Sequence, residues 1–321
     1  MQGRLQSERQ APPAQQNAAG LLACPVCGGS VEVGTQRVRC GTPSCRSAFP
    51  VVDGIPVMLP DQADRQGGGD AGHAAECPPP SAGAGRYELE KAKWNRRSAD
   101  LLREGLPRQA PEDYDRVFRG RSVLAPVHRH LDPAGKTVLE CGCGTGWTTV
   151  LLAQKAGQVM AFDIAINSVR VLCERVRRLG LDNVSCCVAD AEHLPFRGEV
   201  FDVVFGNAVL HHVRLPLAVP ETARVMKPGG RGAFCEPLAH NPLVNACRYV
   251  KHHWLDEYEG TDRPLRYADR AVFADAYSRV QYVESSLLRD RVGWLRELDR
   301  RVMSVGALRR LAAYVAVLLE K

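Results

Sequence analysis

The sequence predicts an α/β fold: a doubly wound, mostly parallel sheet of seven strands, preceded by a small separate module. Three observations lead there. From Lys136 onward, short apolar runs alternate with longer amphipathic ones, the pattern of strands joined by crossover helices. The first apolar run, Val138-Leu139-Glu140, passes into Cys141-Gly142-Cys143-Gly144-Thr145-Gly146. Glycines at alternate positions let the backbone turn tightly and approach a ligand, because no Cβ intervenes. Four cysteines, Cys24, Cys27, Cys40 and Cys45, stand together well ahead of that sheet.

Taken in order, Met1 to Gly20 is rich in Gln, Ala and Pro and is expected to be a disordered tail. Residues 21–60 form the cysteine module. Residues 61–86, crowded with Gly, Ala, Pro and Asp, read as a flexible linker. Residues 87–132 carry helical periodicity in Leu89, Trp94, Leu101 and Leu102, then in Tyr114, Val117, Phe118, Leu124 and Val127. Residues 133–321 hold the sheet. Strands are predicted at Thr137–Cys141, Val159–Asp163, Val184–Val188, Phe201–Gly206, Gly232–Glu236, Val280–Ser285 and Ala313–Leu319. Helices fit Thr148–Ala156, Ile166–Leu179, Leu217–Val225 and Ala268–Ser278. The last two strands lie close in sequence and predict an antiparallel edge.

Length and composition set bounds. The chain has 321 residues, 45% of them hydrophobic, which is enough for a substantial core. No basic stretch followed by an apolar one opens it, and the apolar run Leu311–Leu319 is too short to span a bilayer. A cytoplasmic protein without a membrane span is expected. The net charge of +6 is spread along the chain. Arg175, Arg177 and Arg178 fall on one predicted helix and read as a solvated face rather than a nucleic-acid patch. Of twelve cysteines, most outside the N-terminal four lie in predicted apolar segments and read as small buried hydrophobes, not as a disulfide framework.

Ligands bind beyond the carboxyl ends of the strands in such sheets. Three features fall at such ends. One is the loop Glu140–Gly146. Another is Asp163, 21 residues after Gly142, where a carboxylate can accept hydrogen bonds from vicinal ribose hydroxyls. The third is Asp190-Ala191, a carboxylate and an amide suited to the amino edge of an adenine. Taken singly, Asp163 and Asp190 are as readily helix caps; it is their joint spacing with the loop that points to a ligand. Glu140 would repel a pyrophosphate and suit a cationic amino group. The third glycine also comes one residue too early for the dinucleotide fingerprint, which disfavours an oxidoreductase.

This ordered set, with Phe201-Asp202-Val203-Val204 and Lys227-Pro228-Gly229-Gly230, resembles class I S-adenosylmethionine-dependent methyltransferases over residues 136–236. The resemblance implies a Rossmann-like seven-stranded methyltransferase sheet and S-adenosylmethionine as cofactor. It implies that Glu140, Gly142, Gly144 and Gly146 hold the amino-acid part of the cofactor. It assigns Asp163 to the ribose, Ile164 and Asp190 with Ala191 to the adenine, and Asn207 to the methionine end. The usual Asp before the glycines is Glu140 here. The Asn-Pro-Pro-aromatic motif of enzymes that methylate adenine or glutamine amino groups is absent after the fourth strand.

Methyl transfer from a sulfonium is a direct displacement, in which the cofactor carries the reactive group. A base is needed only when the acceptor must lose a proton. His211 and His212, just past Asn207, are the candidates for that catalytic role; the competing reading is structural capping. The long connection 237–263, with His240, Tyr249, His252, His253, Trp254 and Tyr258, has the length of a lid. With residues 87–132 it is expected to roof an acceptor pocket. His252 and His253 lack partners at ligand spacing and read as a solvated helix.

Cys24-Pro25-Val26-Cys27-Gly28-Gly29 has the form of a metal-binding knuckle, and Cys40 with Cys45 supplies a second thiol pair. Four thiolates complete a closed tetrahedral zinc site of structural type. In so small a module the metal would supply folding energy. Phe49 to Leu59 resembles the ending of the zinc-ribbon family related to the eukaryotic methyltransferase activator subunit. The spacing Cys40-x4-Cys45 has two more residues than that family's pattern, which leaves a different fourth ligand open.

The reading is therefore a methyltransferase acting on a small, natural-product-like or lipophilic acceptor, in keeping with Asn241 to Leu265, which resembles bacterial methyltransferases of that kind. Two alternatives stand beside it. A ribbon ahead of a methyltransferase also resembles bacterial ribosomal-RNA guanine methyltransferases, although no basic-aromatic interleaving for RNA is evident. The ribbon could instead dock a protein partner. Acceptor identity, the methylated atom and the oligomeric state are not legible.

Overall fold

In the computed structural model the described residues are 19–65, 84–106, 112–242, 244–247, 249, 262–286, 301–303 and 305–321. Most of the expected N-terminal tail, most of the linker, and His252, His253, Trp254 and Tyr258 of the long connection lie outside them.

The N-terminal module is a five-stranded antiparallel sheet of β1 (Val31–Val33), β2 (Arg37–Cys40), β3 (Ser47–Val52), β4 (Ile55–Pro56) and β5 (Asp64–Arg65). It runs to Arg65, past the boundary expected at residue 60. Helix α1 (Ala84–Glu104) starts inside the stretch expected to be linker. It is followed by α2 (Tyr114–Gly120), whose first turn is capped by Asp113 accepting from the Arg116 amide at 2.8 Å, and by α3 (Leu124–His130).

The main sheet contains β6 (Thr137–Cys141), β7 (Gln158–Asp163), β8 (Val184–Val188), β9 (Phe201–Asn207), β10 (Met226–Pro237), β11 (Arg279–Ser285) and β12 (Tyr314–Glu320). Their spatial order is β11-β12-β10-β9-β6-β7-β8. The first five strands in sequence are mutually parallel, whereas β12 runs antiparallel to both neighbours, β10 and β11. The reversed strand is thus internal and β11 forms the edge. The seven strands and their doubly wound topology are those expected from sequence. The strand order reverses between β6 and β9, so the carboxyl ends of β6, β7, β8, β9 and β10 gather around one crevice.

Helices α4 (Trp147–Ala153), α5 (Ile166–Leu179), α6 (Leu215–Val225) and α7 (Arg270–Ala274) cover the sheet. Alternation along β6 assigns the faces. Val138 packs with Phe118, Val127, Leu151 and Phe205 on one side, and Leu139 and Cys141 pack with Phe162, Val219 and Phe234 on the other. Helix α5 stops at Gly180, in the left-handed region at φ 63°, where glycine carries no Cβ penalty. Helix α7 is shorter than predicted from Ala268–Ser278. A 3-10 turn, Tyr267–Asp269, precedes it, and Tyr277 beyond its end turns inward to donate to Thr222 Oγ1 at 2.9 Å.

Residues 87–132 divide between two places in the fold. The apolar residues Tyr114, Val117, Phe118, Leu124 and Val127 of α2 and α3 are buried against the sheet face with Val203, Phe205 and Leu318. Periodicity alone cannot distinguish a lid from a sheet-covering helix. Helix α1 does reach the crevice. It is held on α5 by Ser98 with Ser168, and by Asn95 accepting from the Asn167 amide, both at 2.9 Å.

Candidate active site

The glycine loop leaves β6 with every glycine at positive φ: 64° at Gly142, 53° at Gly144 and 82° at Gly146. Only glycine takes these values without a Cβ penalty. The three differ in their surroundings. A Cβ on Gly142 would meet Val209 at 2.6 Å, and one on Gly146 would meet Leu172 at 2.4 Å. On Gly144 it would meet nothing within 4 Å, so that glycine faces open space above the loop.

Asp163 ends β7 and braces this loop. Its Oδ2 accepts from the Gly144 amide and its Oδ1 from the Ala165 amide, each at 2.9 Å. Burial pushes its pKa up, while the Ala165 and Gly144 amides and the charge of His212 act in the opposite direction. Two amides use only part of a carboxylate's lone-pair capacity, so ribose hydroxyls can still be accepted.

Glu140 is 1% exposed. Its Oε1 accepts from the Thr148 hydroxyl, and its Oε2 is buried without a hydrogen-bond partner. Burial raises its pKa to about 7; the Thr148 and Thr149 hydroxyls lower it and the Asp163 charge raises it. A buried carboxylate with one oxygen unpaired beside an open glycine loop fits a cationic amino group.

Asp190 follows β8. It closes its own turn by accepting from the Glu192 amide at 2.9 Å and faces His193 Nδ1 at 3.4 Å. This contact raises the His193 pKa, against burial. Ala191 is buried, while Ile164 and Asn207 are half-buried at the ends of β7 and β9. The Ala189 amide donates to the Asp163 carbonyl at 3.1 Å, so the ends of β7 and β8 are tied together.

The histidines have unequal settings. His211 Nδ1 lies 2.7 Å from Glu236 Oε2, in a contact with His211 only 7% exposed. A carboxylate only accepts, so Nδ1 is the donor in this contact. Glu236, 0% exposed at the end of β10, also accepts from the amides of Val209 at 2.9 Å, Leu210 at 2.8 Å and His211 at 3.3 Å. It thereby fixes the turn that carries both histidines, including Ala208 at φ 60°. His212 lies against His211, with ring centroids 3.9 Å apart and planes tilted by 41°, and meets Trp94 of α1 edge-on at 6.3 Å.

Sequence reading missed Glu236, although the run Ala233-Phe234-Cys235-Glu236 repeats the apolar-then-acidic ending of β6. It also missed Glu90, which accepts from Trp94 Nε1 at 2.9 Å. Arg175 was expected on a solvated face; it is instead half-buried and donates to the Thr145 carbonyl of the glycine loop at 3.1 Å. Arg177 and Arg178 do sit at the surface, paired with Glu174.

In the N-terminal module the four cysteine sulfurs lie within 4.8 Å of one another. Cys24 is 3.8 Å from Cys45, and Cys27 is 3.5 Å from Cys40. Sulfurs at about 2.3 Å from a tetrahedral zinc ion would be about 3.8 Å apart. The Gly29 amide points at Cys27 Sγ and the Thr42 amide at Cys40 Sγ, both at 3.4 Å, as donors to thiolates. For Cys27, burial alone would raise the pKa, but the Gly29 amide and the Thr42 hydroxyl outweigh it and bring it to about 7. The donor set fits zinc.

Residues 139–234 match the family model described as methyltransferase domain. A malonyl-[acyl-carrier protein] O-methyltransferase of Methylococcus capsulatus is 41% identical over 36% of this chain and 42% of its own length. The methyltransferase GfsG of Streptomyces halstedii is 35% identical over 41% of this chain and 49% of its own. The chain spans between 36% and 62% of the length of such curated relatives. Among solved structures, the geranyl diphosphate C-methyltransferase of Streptomyces coelicolor is similar over 73% of this chain and 97% of that one, at 19% identity and a TM-score of 0.49. Residues 139–234 are thus similar to methyltransferase domains.

Proposed function

We propose that this protein transfers a methyl group from S-adenosylmethionine to a small, natural-product-like or lipophilic acceptor by direct displacement. The observation that carries this reading is the crevice at the β6 and β7 ends, where the unpaired Glu140 oxygen, the open Gly144 and the braced Asp163 stand together. When bound, the cofactor supplies a sulfonium methyl group. Glu140 would take the amino group and Asp163 the ribose. Asp190, Ala191 and Ile164 would line the adenine side, and Asn207 the methionine end. The chain's task is then to align an acceptor with the methyl, an effect worth about 7–11 kcal/mol in well-oriented systems.

His211 and His212 stand on the acceptor side, roofed by Glu90 and Trp94 of α1. With His211 Nδ1 held by Glu236, Nε2 is the basic nitrogen, suited to take a proton from an acceptor hydroxyl or to bind a cation. Zinc at Cys24, Cys27, Cys40 and Cys45 would be structural, since four thiolates leave no open position.

The relatives' names support a small or carrier-bound acceptor: malonyl-[acyl-carrier protein], aklanonic acid and demethylmenaquinone. The N-terminal module is packed against the sheet edge within the same chain, which supports a stabilising role over the docking of RNA or a partner. Calorimetry with S-adenosylmethionine tests the reading. Binding by the wild type and its loss in Asp163→Ala are expected; equal affinity in both would sink it.

A further inference from the structure

One cluster is not explained by cofactor binding. His212 Nδ1 lies 3.2 Å from Asp262 Oδ1 and 3.3 Å from Glu90 Oε1, yet this buried nitrogen makes no hydrogen bond. Both carboxylates are in contact with the ring nitrogen but off the axis along which an N–H would point. Ligands sharing one ion show this arrangement: N and O donors at about 2.1 Å from a metal are about 3.0–3.4 Å apart along the edges of its shell. One ring nitrogen of His211, one of His212 and one oxygen of Asp262 all lie within 4.8 Å of one another. His211 Nδ1 meets the Glu236 carboxylate at 2.7 Å, the outer support typical of an imidazole that binds metal through its second nitrogen.

Charge points the same way. Glu90, Asp262 and Glu236 bring three carboxylates together. Lys93 lies 3.7 Å from Glu90 and 3.9 Å from Asp262. The elements that meet here are distant in sequence: α1, the turn after β9, and the segment that returns from the long connection. Arg263 of that segment donates its amide to the His211 carbonyl at 2.8 Å.

We propose that His211, His212, Asp262 and Glu90 form a site for a divalent transition-metal ion that holds an anionic oxygen of the acceptor. The proposal rests on the methyltransferase reading for its role and on this cluster alone for its existence. Two imidazoles and two carboxylates favour zinc, manganese or iron(II) over magnesium and calcium, which prefer oxygen donors throughout. A metal-bound hydroxyl is more acidic. The histidines then act as ligands, and the acceptor's proton is lost to solvent before the methyl is attacked.

The test uses the full chain, stripped with chelator and reloaded with cobalt(II). Metal is counted by mass spectrometry and its ligands are read by absorption. The wild type should take two equivalents, one with intense sulfur-to-cobalt bands and one with weak nitrogen–oxygen bands. Asp262→Asn and His212→Gln should each lose the second equivalent and keep the sulfur bands. Retained S-adenosylmethionine affinity in the variants shows that they fold. A wild type that takes only the sulfur-bound equivalent overturns the proposal, whether or not the variants fold, and leaves the function reading intact. Failure of the wild type to bind S-adenosylmethionine overturns the function reading while the cobalt count still stands.

Discussion

Glu140 stores its charge at a cost that a cationic ligand can relieve. Burial raises its pKa from 4.5 to about 7, a preference for the neutral form on the order of 3 kcal/mol. The folded value lies above the unfolded one. Its contribution to the stability of the free protein is therefore fully present below about 4.5 and is lost as pH rises through about 7. An ammonium group beside it reverses the preference. S-adenosylmethionine binding near pH 7 should release a proton and tighten as pH rises, and Glu140→Gln should remove both effects. Calorimetry in two buffers of different ionisation enthalpy reads this directly, and equal apparent enthalpies for the wild type would contradict it.

Asp163 and the glycines act at the same scale. Asp163→Ala removes an acceptor for two amides, each bond to a charged group being worth about 1.5–3 kcal/mol, so cofactor affinity should fall at least about tenfold. Gly146→Ala combines a φ of 82° with a Cβ 2.4 Å from Leu172. A loss of about 1–3 kcal/mol is expected, visible as a lower midpoint in urea unfolding; an unchanged midpoint would show that Leu172 can yield.

Among the elements, the turn after β9 depends on β10. Glu236 accepts from three successive amides and from His211, so it works as a cap for a short 3-10 turn, Leu210–His212. Breaking a buried charged contact of this kind typically costs about 3–5 kcal/mol. Glu236→Ala should lower the thermal midpoint sharply and blunt methyl transfer together. A variant with wild-type melting and activity would mean that the turn is held by packing alone. Helix α1 plays the complementary part. Trp94 donates to Glu90, and α1 is anchored on α5 through Asn95 and Ser98, so the wall beside His212 is built by a helix that precedes the whole sheet in sequence.

At the scale of the whole molecule, the N-terminal module packs along the β8 edge of the main sheet. Val57 pairs with Val188 of β8, with the Met58 amide donating to the Val188 carbonyl at 2.8 Å. Leu22 pairs with Phe196, and Asp53 meets Arg170 at 2.7 Å. Ile55, Val57 and Leu59 share one apolar cluster with Val169, Leu172 and Cys186. This covers an edge strand that would otherwise be open to unwanted pairing. Stripping metal from the cysteine site should therefore lower the melting temperature of the whole chain in one cooperative transition. Two transitions in scanning calorimetry, with the upper one unmoved by chelator, would show the module to be independent.

The sequence by itself determined the sheet, its seven strands, the glycine loop and the acidic residues at the strand ends. These follow from local rules: apolar period, turn chemistry and the place where strands must end. It also determined the four-thiol cluster, whose residues are close in the chain. The surroundings of His211 and His212 were decided only by tertiary structure. Glu90, His212, Asp262 and Glu236 come from four separate segments, and no local period brings them together. The same reason explains why α2 and α3 were expected over the pocket and lie against the sheet instead. An amphipathic helix shows in its sequence that it has a face to bury, and only packing selects the surface that buries it.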